Sequence, residues 1–192
     1  VLSSIAGRGV RRMTGGTRNR GKYIGLLLVL GQLYVLFTGS MTGTDRLRVR
    51  RVTISVPNLP KSFDGYRIVQ FSDIHLGSMR SELLERAVEQ MNRQRPDMIA
   101  FTGDIQNMRP DEPTRHTSTL RRLHAKDGVY SVLGNHDYSE YVPKLPMQQR
   151  RHNEQLTREF HANVGWQLLL NDHRIIRRGN DSIVIAGEEN DG

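Results

Sequence analysis

Three short stretches of the chain end in side chains that bind metal ions. They are Asp73-Ile74-His75, Gly103-Asp104 and Gly134-Asn135-His136-Asp137. A carboxylate oxygen, a neutral imidazole nitrogen and an uncharged amide oxygen all suit divalent transition metals. Taken singly the stretches are weak signals: Asp after a strand can cap a turn or a helix, Gly-Asp is a turn, and Asn-His-Asp can close an Asx-turn. Taken together they fit a binuclear centre. Asp73 and His75 hold one ion, Asp104 bridges to a second through its two oxygens, and Asn135 gives that second ion an amide oxygen. Two cations about 3.5–4 Å apart activate water at neutral pH and neutralise charge on an in-line phosphoryl transition state. His136, beside a ligand but beyond the metal shell, is placed to protonate the leaving oxygen or to steady the transition-state charge.

The elements that must position these residues repeat. Tyr66 to Phe71 is an apolar run that stops just before Asp73. "SELLERAVEQMNRQ" then sets Leu83, Leu84, Ala87, Val88 and Met91 on one helical face, and Pro96 closes it. A second strand, Met98 to Phe101, runs into Gly103-Asp104, and a second helical stretch carries Leu120 and Leu123 before Gly128. A third strand, Val129 to Leu133, runs into Gly134-Asn135-His136-Asp137. Continuous apolar strands separated by amphipathic helices predict a parallel sheet covered on both faces. Its carboxyl edge, where ligand sites form, would then gather all three polar tips. Gly103 and Gly134 permit the tight turns this requires.

Further on, "NEQLTREFHANVGW" predicts a helix with Leu156 and Phe160 inward. "GWQLLLNDHRIIRRGNDSIVIAG" predicts strands turning at Gly179-Asn180-Asp181, and Trp166 reads as core.

In this order and spacing, D-x-H, G-D and G-N-H-D resemble the calcineurin-like metallophosphoesterases. The bacterial membrane-associated branch is the most similar, through Leu59-Pro60, Phe63 and Gly65-Tyr66 onward to Gly77. The resemblance covers about residues 52–192. It implies a four-layer α/β/β/α sandwich, of which this chain holds the first half, and two divalent ions drawn from manganese, iron or zinc. It also implies that Asn107 and Asp137 stand behind the ligands and support them. Many relatives carry Asp where this chain has Asn107, and that Asp charges the catalytic imidazole. An amide oxygen can still orient His136, with less stabilisation of its cationic form. Arg109 is either a phosphate contact or a solvated surface arginine.

Relatives also continue into another ligand His and a G-H-x-H motif, neither of which is seen here. His152, His161 and His173 lie in helical or hairpin contexts and read as solvated or packing residues. The chain starts with Val and stops just after an apolar run, so a fragment cut at both ends is expected, with activity of this stretch alone in question.

Charge divides the chain. Of the formal +8, residues 1–51 supply +9 from ten Lys/Arg and Asp45, while the remaining 18 basic and 19 acidic residues give −1. Without a basic stripe in the second part, a DNA-processing phosphodiesterase is disfavoured and no nucleic-acid partner is expected. The basicity flanks an apolar stretch, Tyr23 to Met41, preceded by Arg18, Arg20 and Lys22 and followed by Arg46, Arg48, Arg50 and Arg51. A buried core helix would share this composition, but the basic flanks favour a transmembrane helix anchored at the headgroups. No cysteine is present, which excludes disulfides and thiolate zinc sites.

The expected organisation is a basic flank at 1–22, a transmembrane helix at 23–41, a linker with a first strand at 42–65, and a metallophosphoesterase domain, incomplete at its carboxyl end, at 66–192. The expected protein is an integral protein of the bacterial inner membrane that hydrolyses a phosphoester, with a lipid-linked substrate as one candidate. The alternative is a non-catalytic membrane scaffold retaining a partial metal site.

Overall fold

The computed structural model describes residues 21–42 and 47–190. Helix α1, Gly21–Thr42, and the chain from Val52 onward fall in separate compact units.

In the second unit, strands β1 (Ile68–Phe71), β2 (Met98–Thr102), β3 (Val129–Val132) and β4 (Gln167–Leu168) form one sheet in that order. Each neighbouring pair is parallel, with Ile68 opposite Met98, Ile99 opposite Val129 and Tyr130 opposite Gln167. Helix α2 (Ser81–Arg93) connects β1 to β2, and the single turn α3 (Thr117–Leu120) lies between β2 and β3. Helix α4 (Met147–Asn163) precedes β4, and an antiparallel hairpin of β5 (Asp172–Arg178) and β6 (Asp181–Gly187) follows.

Strand β2 shows why the sheet has two different coverings. Its side chains alternate between faces. Ile99 and Phe101 join Leu84 and Val88 of α2, Leu120, and Phe160, Val164 and Trp166 at the end of α4. Met98 and Ala100 join Phe63, Tyr130, Leu169 and the hairpin residues Ile176, Ile183 and Ile185. Helices therefore cover one face and a β-hairpin the other. The expected parallel sheet, the buried Trp166 and the Gly179-Asn180 turn are all present.

Three expectations change. Helix α4 starts earlier than the periodicity suggests and turns Asn153, Thr157, Phe160 and His161 inward, leaving Leu156 exposed; its buried stripe is largely polar because it meets polar groups beneath the strand tips. Among described residues 47–65 the only regular element is the 3₁₀ turn Lys61–Phe63. The strand expected in this linker is not formed, and Val52, Ile54 and Val56 stand exposed. The apolar stretch at 23–41 is helical, with Leu26–Leu30 and Leu33–Phe37 each more than half exposed. Yet among the described residues no helix is long and apolar enough to cross a membrane. Gly25, Gly31, Gln32, Tyr34 and Thr38 dilute its leucines. Arg18, Arg20 and Arg46 lie outside the described residues.

Candidate metal centre

The three strand tips meet at the carboxyl edge of the sheet because their loops are sewn together through the main chain. Asp73 N–H donates to Gly103 O at 3.0 Å, His75 N–H to Asp104 O at 3.2 Å and Leu76 N–H to Ile105 O at 2.9 Å. The third loop is tied in by Asp137, which has no exposed surface. Its carboxylate accepts from the amides of Asp104, Ile105 and Gly134, each at 2.9 Å, and from Gln106 at 3.4 Å. Burial pushes the Asp137 carboxyl up to about 6, with these amides pulling against that push. Asp137 thus ties the three strand-tip loops together from behind.

Glycine is required twice. Gly103 sits at φ +100°, and a Cβ there would strike the Gly134 backbone, while a Cβ on Gly134 would strike the Asp104 carboxylate. Asp73, His75 and Asp104 themselves have φ of 54°, 39° and 64°, in the left-handed region that non-glycine residues avoid. Such strain concentrates at functional sites, where surrounding contacts enforce it.

His75, Asp104 and His136 offer ligand atoms that all lie within 4.8 Å of one another. His75 Nε2 is 4.0 Å from Asp104 Oδ2, and its Nδ1 is 3.1 Å from the carbonyl oxygen of Gln106. That carbonyl can only accept, so Nδ1 carries the proton and Nε2 is left as the ligand atom. The His136 ring is held in the same way, with Nδ1 2.6 Å from Asn107 O, and the main-chain N–H of His136 donates to Asp104 Oδ1 at 3.0 Å. The two imidazoles meet edge to face, with centroids 4.7 Å apart. One carboxylate and two imidazoles with their outer nitrogens tied to carbonyls form a donor set that fits divalent zinc, manganese or iron.

Not every expected site residue joins this cluster. His136, expected beyond the metal shell, belongs to the cluster, whereas Asp73 stands outside it and is exposed. Asn107 meets His136 by its main-chain oxygen; its side-chain Nδ2 donates to Ser78 Oγ at 3.2 Å. Asn135 donates its side-chain Nδ2 to the hydroxyl of Tyr141. Arg109 reaches Asp111 at 3.4 Å on the surface. His161 is fully buried against Ser131 Oγ at 2.9 Å, and burial drives its pKa down to about 3; it is a packing residue.

Two further residues beside the site carry little or no sequence signal. Gln106, fully buried, donates through Nε2 to the carbonyls of His136 (3.2 Å) and Asp137 (3.3 Å), and its Oε1 accepts from Thr157 Oγ1 at 3.2 Å. Tyr141 stacks on His136, with centroids 4.3 Å apart and planes at 24°. Neither lies in a metal-ligand spacing; only the aromatic in the proline-bounded stretch "SEYVPKLP" just after the third tip hints at Tyr141.

Residues 66–188 match the family model described as calcineurin-like phosphoesterase. The chain is 41% identical over 93 residues to the uncharacterized metallophosphoesterase YkuE of Bacillus subtilis, a match covering 46% of this chain and 32% of that protein. It is 40% identical over 99 residues to the UDP-2,3-diacylglucosamine pyrophosphatase LpxG of Chlamydia trachomatis, covering 49% and 30%. It is 31% identical over 114 residues to a transmembrane protein with metallophosphoesterase domain of Danio rerio, covering 59% and 26%. The chain spans about a third or less of the length of these curated relatives.

Proposed function

Because the chain belongs to the calcineurin-like phosphoesterase family, we propose that the protein hydrolyses a phosphoester or phosphoanhydride bond at the carboxyl edge of its parallel sheet, with two divalent cations as cofactors. The observation that carries this reading is the convergence of His75, Asp104 and His136 to within 4.8 Å from three separate strand tips. In this reading Asp73 and His75 would hold one cation and Asn135 the other, with Asp104 a ligand common to both. Cations bound there supply Lewis acidity, acidifying the attacking water and neutralising charge on the phosphoryl group.

The chain's own residues do the rest. His136 keeps its Nδ1 proton on the Asn107 carbonyl in both the neutral and the cationic ring, so proton exchange with the leaving oxygen is confined to Nε2. Asp137 fixes the amides that aim Asp104, and the Gln106 carbonyl fixes the His75 ring. The helices, the parallel sheet and the hairpin support the first three layers of a four-layer α/β/β/α domain.

A lipid-linked substrate at a membrane surface is favoured. The exposed apolar side chains of α1 support association with lipid, and one relative is named for a diacylglucosamine pyrophosphatase. The test is to assay the full-length protein on aryl phosphate mono- and diesters and on a nucleotide-activated diacyl sugar, with and without manganese. Manganese-dependent release of phosphate or nucleotide that disappears in Asp104→Asn supports the reading. No turnover on any of the three favours the non-catalytic scaffold.

A further inference from the structure

We propose that Tyr141 is a positioning residue for both Asn135 and His136. The inference rests on the reading that Asn135 is a metal ligand and that His136 acts on the substrate.

Tyr141 is 48% exposed, so burial does not explain its placement. It hydrogen-bonds Asn135 and stacks on His136, consecutive residues of the third strand tip. Its ring lies nearly parallel to the His136 imidazole at 4.3 Å, while His75 meets the same imidazole edge to face at 4.7 Å and the Asn107 carbonyl holds Nδ1. The imidazole is therefore fixed by two neighbouring rings and one hydrogen bond. The Tyr141 hydroxyl accepts from Asn135 Nδ2. An asparagine amide has one end that donates and one that accepts. Only its oxygen can bind a cation, and engaging Nδ2 on the phenol leaves Oδ1 as the free end.

The two halves of this role separate by substitution at a half-exposed site that can change without emptying the core. Tyr141→Phe removes the acceptor and keeps the ring; Tyr141→Ala removes both; Tyr141→Trp restores a ring without the phenol. Manganese affinity is measured by titrating the metal-free full-length protein, and kcat and KM are measured separately at saturating manganese. All three variants are expected to weaken manganese binding about tenfold, the loss typical of removing a partner that orients a ligand. At saturating manganese Phe and Trp are expected to keep kcat within about twofold of wild type, whereas Ala lowers it about tenfold with KM little changed, because only Ala frees the imidazole.

A residue that merely stabilised the loop would shift the melting temperature without splitting affinity from kcat. Unchanged manganese affinity in Tyr141→Phe, where Asn135→Ala weakens it, would overturn the proposal and leave the ligand assignment intact. Unchanged affinity in Asn135→Ala would overturn both. Equal kcat in Phe and Ala would overturn the stacking half.

Discussion

His136 Nδ1 lies 2.6 Å from the main-chain oxygen of Asn107, so the ring is oriented by a group that no substitution at 107 removes. Asn107→Ala should therefore cost less than about fivefold in kcat/KM, about 1 kcal/mol of transition-state stabilisation. Steady-state kinetics on the purified variant check this. A loss of two orders of magnitude would mean that the side chain, not the carbonyl, governs the imidazole.

Gln106 joins the two imidazole loops, holding His75 through its carbonyl and the His136 and Asp137 carbonyls through its amide. Replacing it by Met keeps the volume but leaves the Asp137 carbonyl without its side-chain donor, the His136 carbonyl still accepting from the Ser139 N–H, a change of about 1–3 kcal/mol for the unsatisfied group. Gln106→Met should lower both the urea midpoint and manganese affinity. Thr157→Val, which removes the hydroxyl shared between Gln106 Oε1 and the Asn153 carbonyl, should do the same more weakly. Thr157→Ser, keeping the hydroxyl, should behave as wild type.

The strand tips were legible in the sequence because each couples an apolar run to a donor side chain, and a parallel sheet sends all such ends to one edge. Helix α2 was legible for a similar reason: Leu84 and Val88 recur at the period of a helix face. Helix α4 was not. Its buried stripe includes Asn153, Thr157 and His161, matched to Ser139, Gln106 and Ser131, and hydrophobic periodicity cannot register polar side chains that are inside because their partners are. The same blindness hides Tyr141 and Gln106, whose importance lies in which atoms they meet. Asn107 meets His136 through its backbone oxygen, which no side-chain pattern encodes. Strands β5 and β6 could be read as strands, but nothing local in their sequence says which face of the parallel sheet they cover.

At the opposite, amino edge of the sheet, Asp97 ties the hairpin to the strands. Its Oδ1 accepts from Lys126 Nζ and from Arg178, each at 2.8 Å, and its Oδ2 from the Arg67 amide at 2.8 Å. Burial pushes this carboxyl up, but the hydrogen bonds from Lys126, Arg67 and Arg178 outweigh it and hold the group at about 2, below the ordinary 3.8. A folded-state value below the unfolded one stabilises the protein above about pH 4, and this stabilisation is lost as pH falls toward about 2. Asp97→Asn should therefore be less stable than wild type at pH 7, and the difference should shrink between about pH 4 and pH 2. Urea titrations across that range measure it; a difference that stays constant would show that the charge of Asp97 contributes nothing.

The binuclear reading turns on Asp104, whose carboxylate stands where the three tips meet. The most direct test is the manganese content of the full-length protein after equilibrium dialysis, with wild type and Asp104→Asn side by side. Two ions per chain in wild type and loss of both in the variant, whose amide offers only one oxygen and no charge, is the expected result. Wild type that retains no manganese, zinc or iron, or a variant that binds as tightly as wild type, would contradict it.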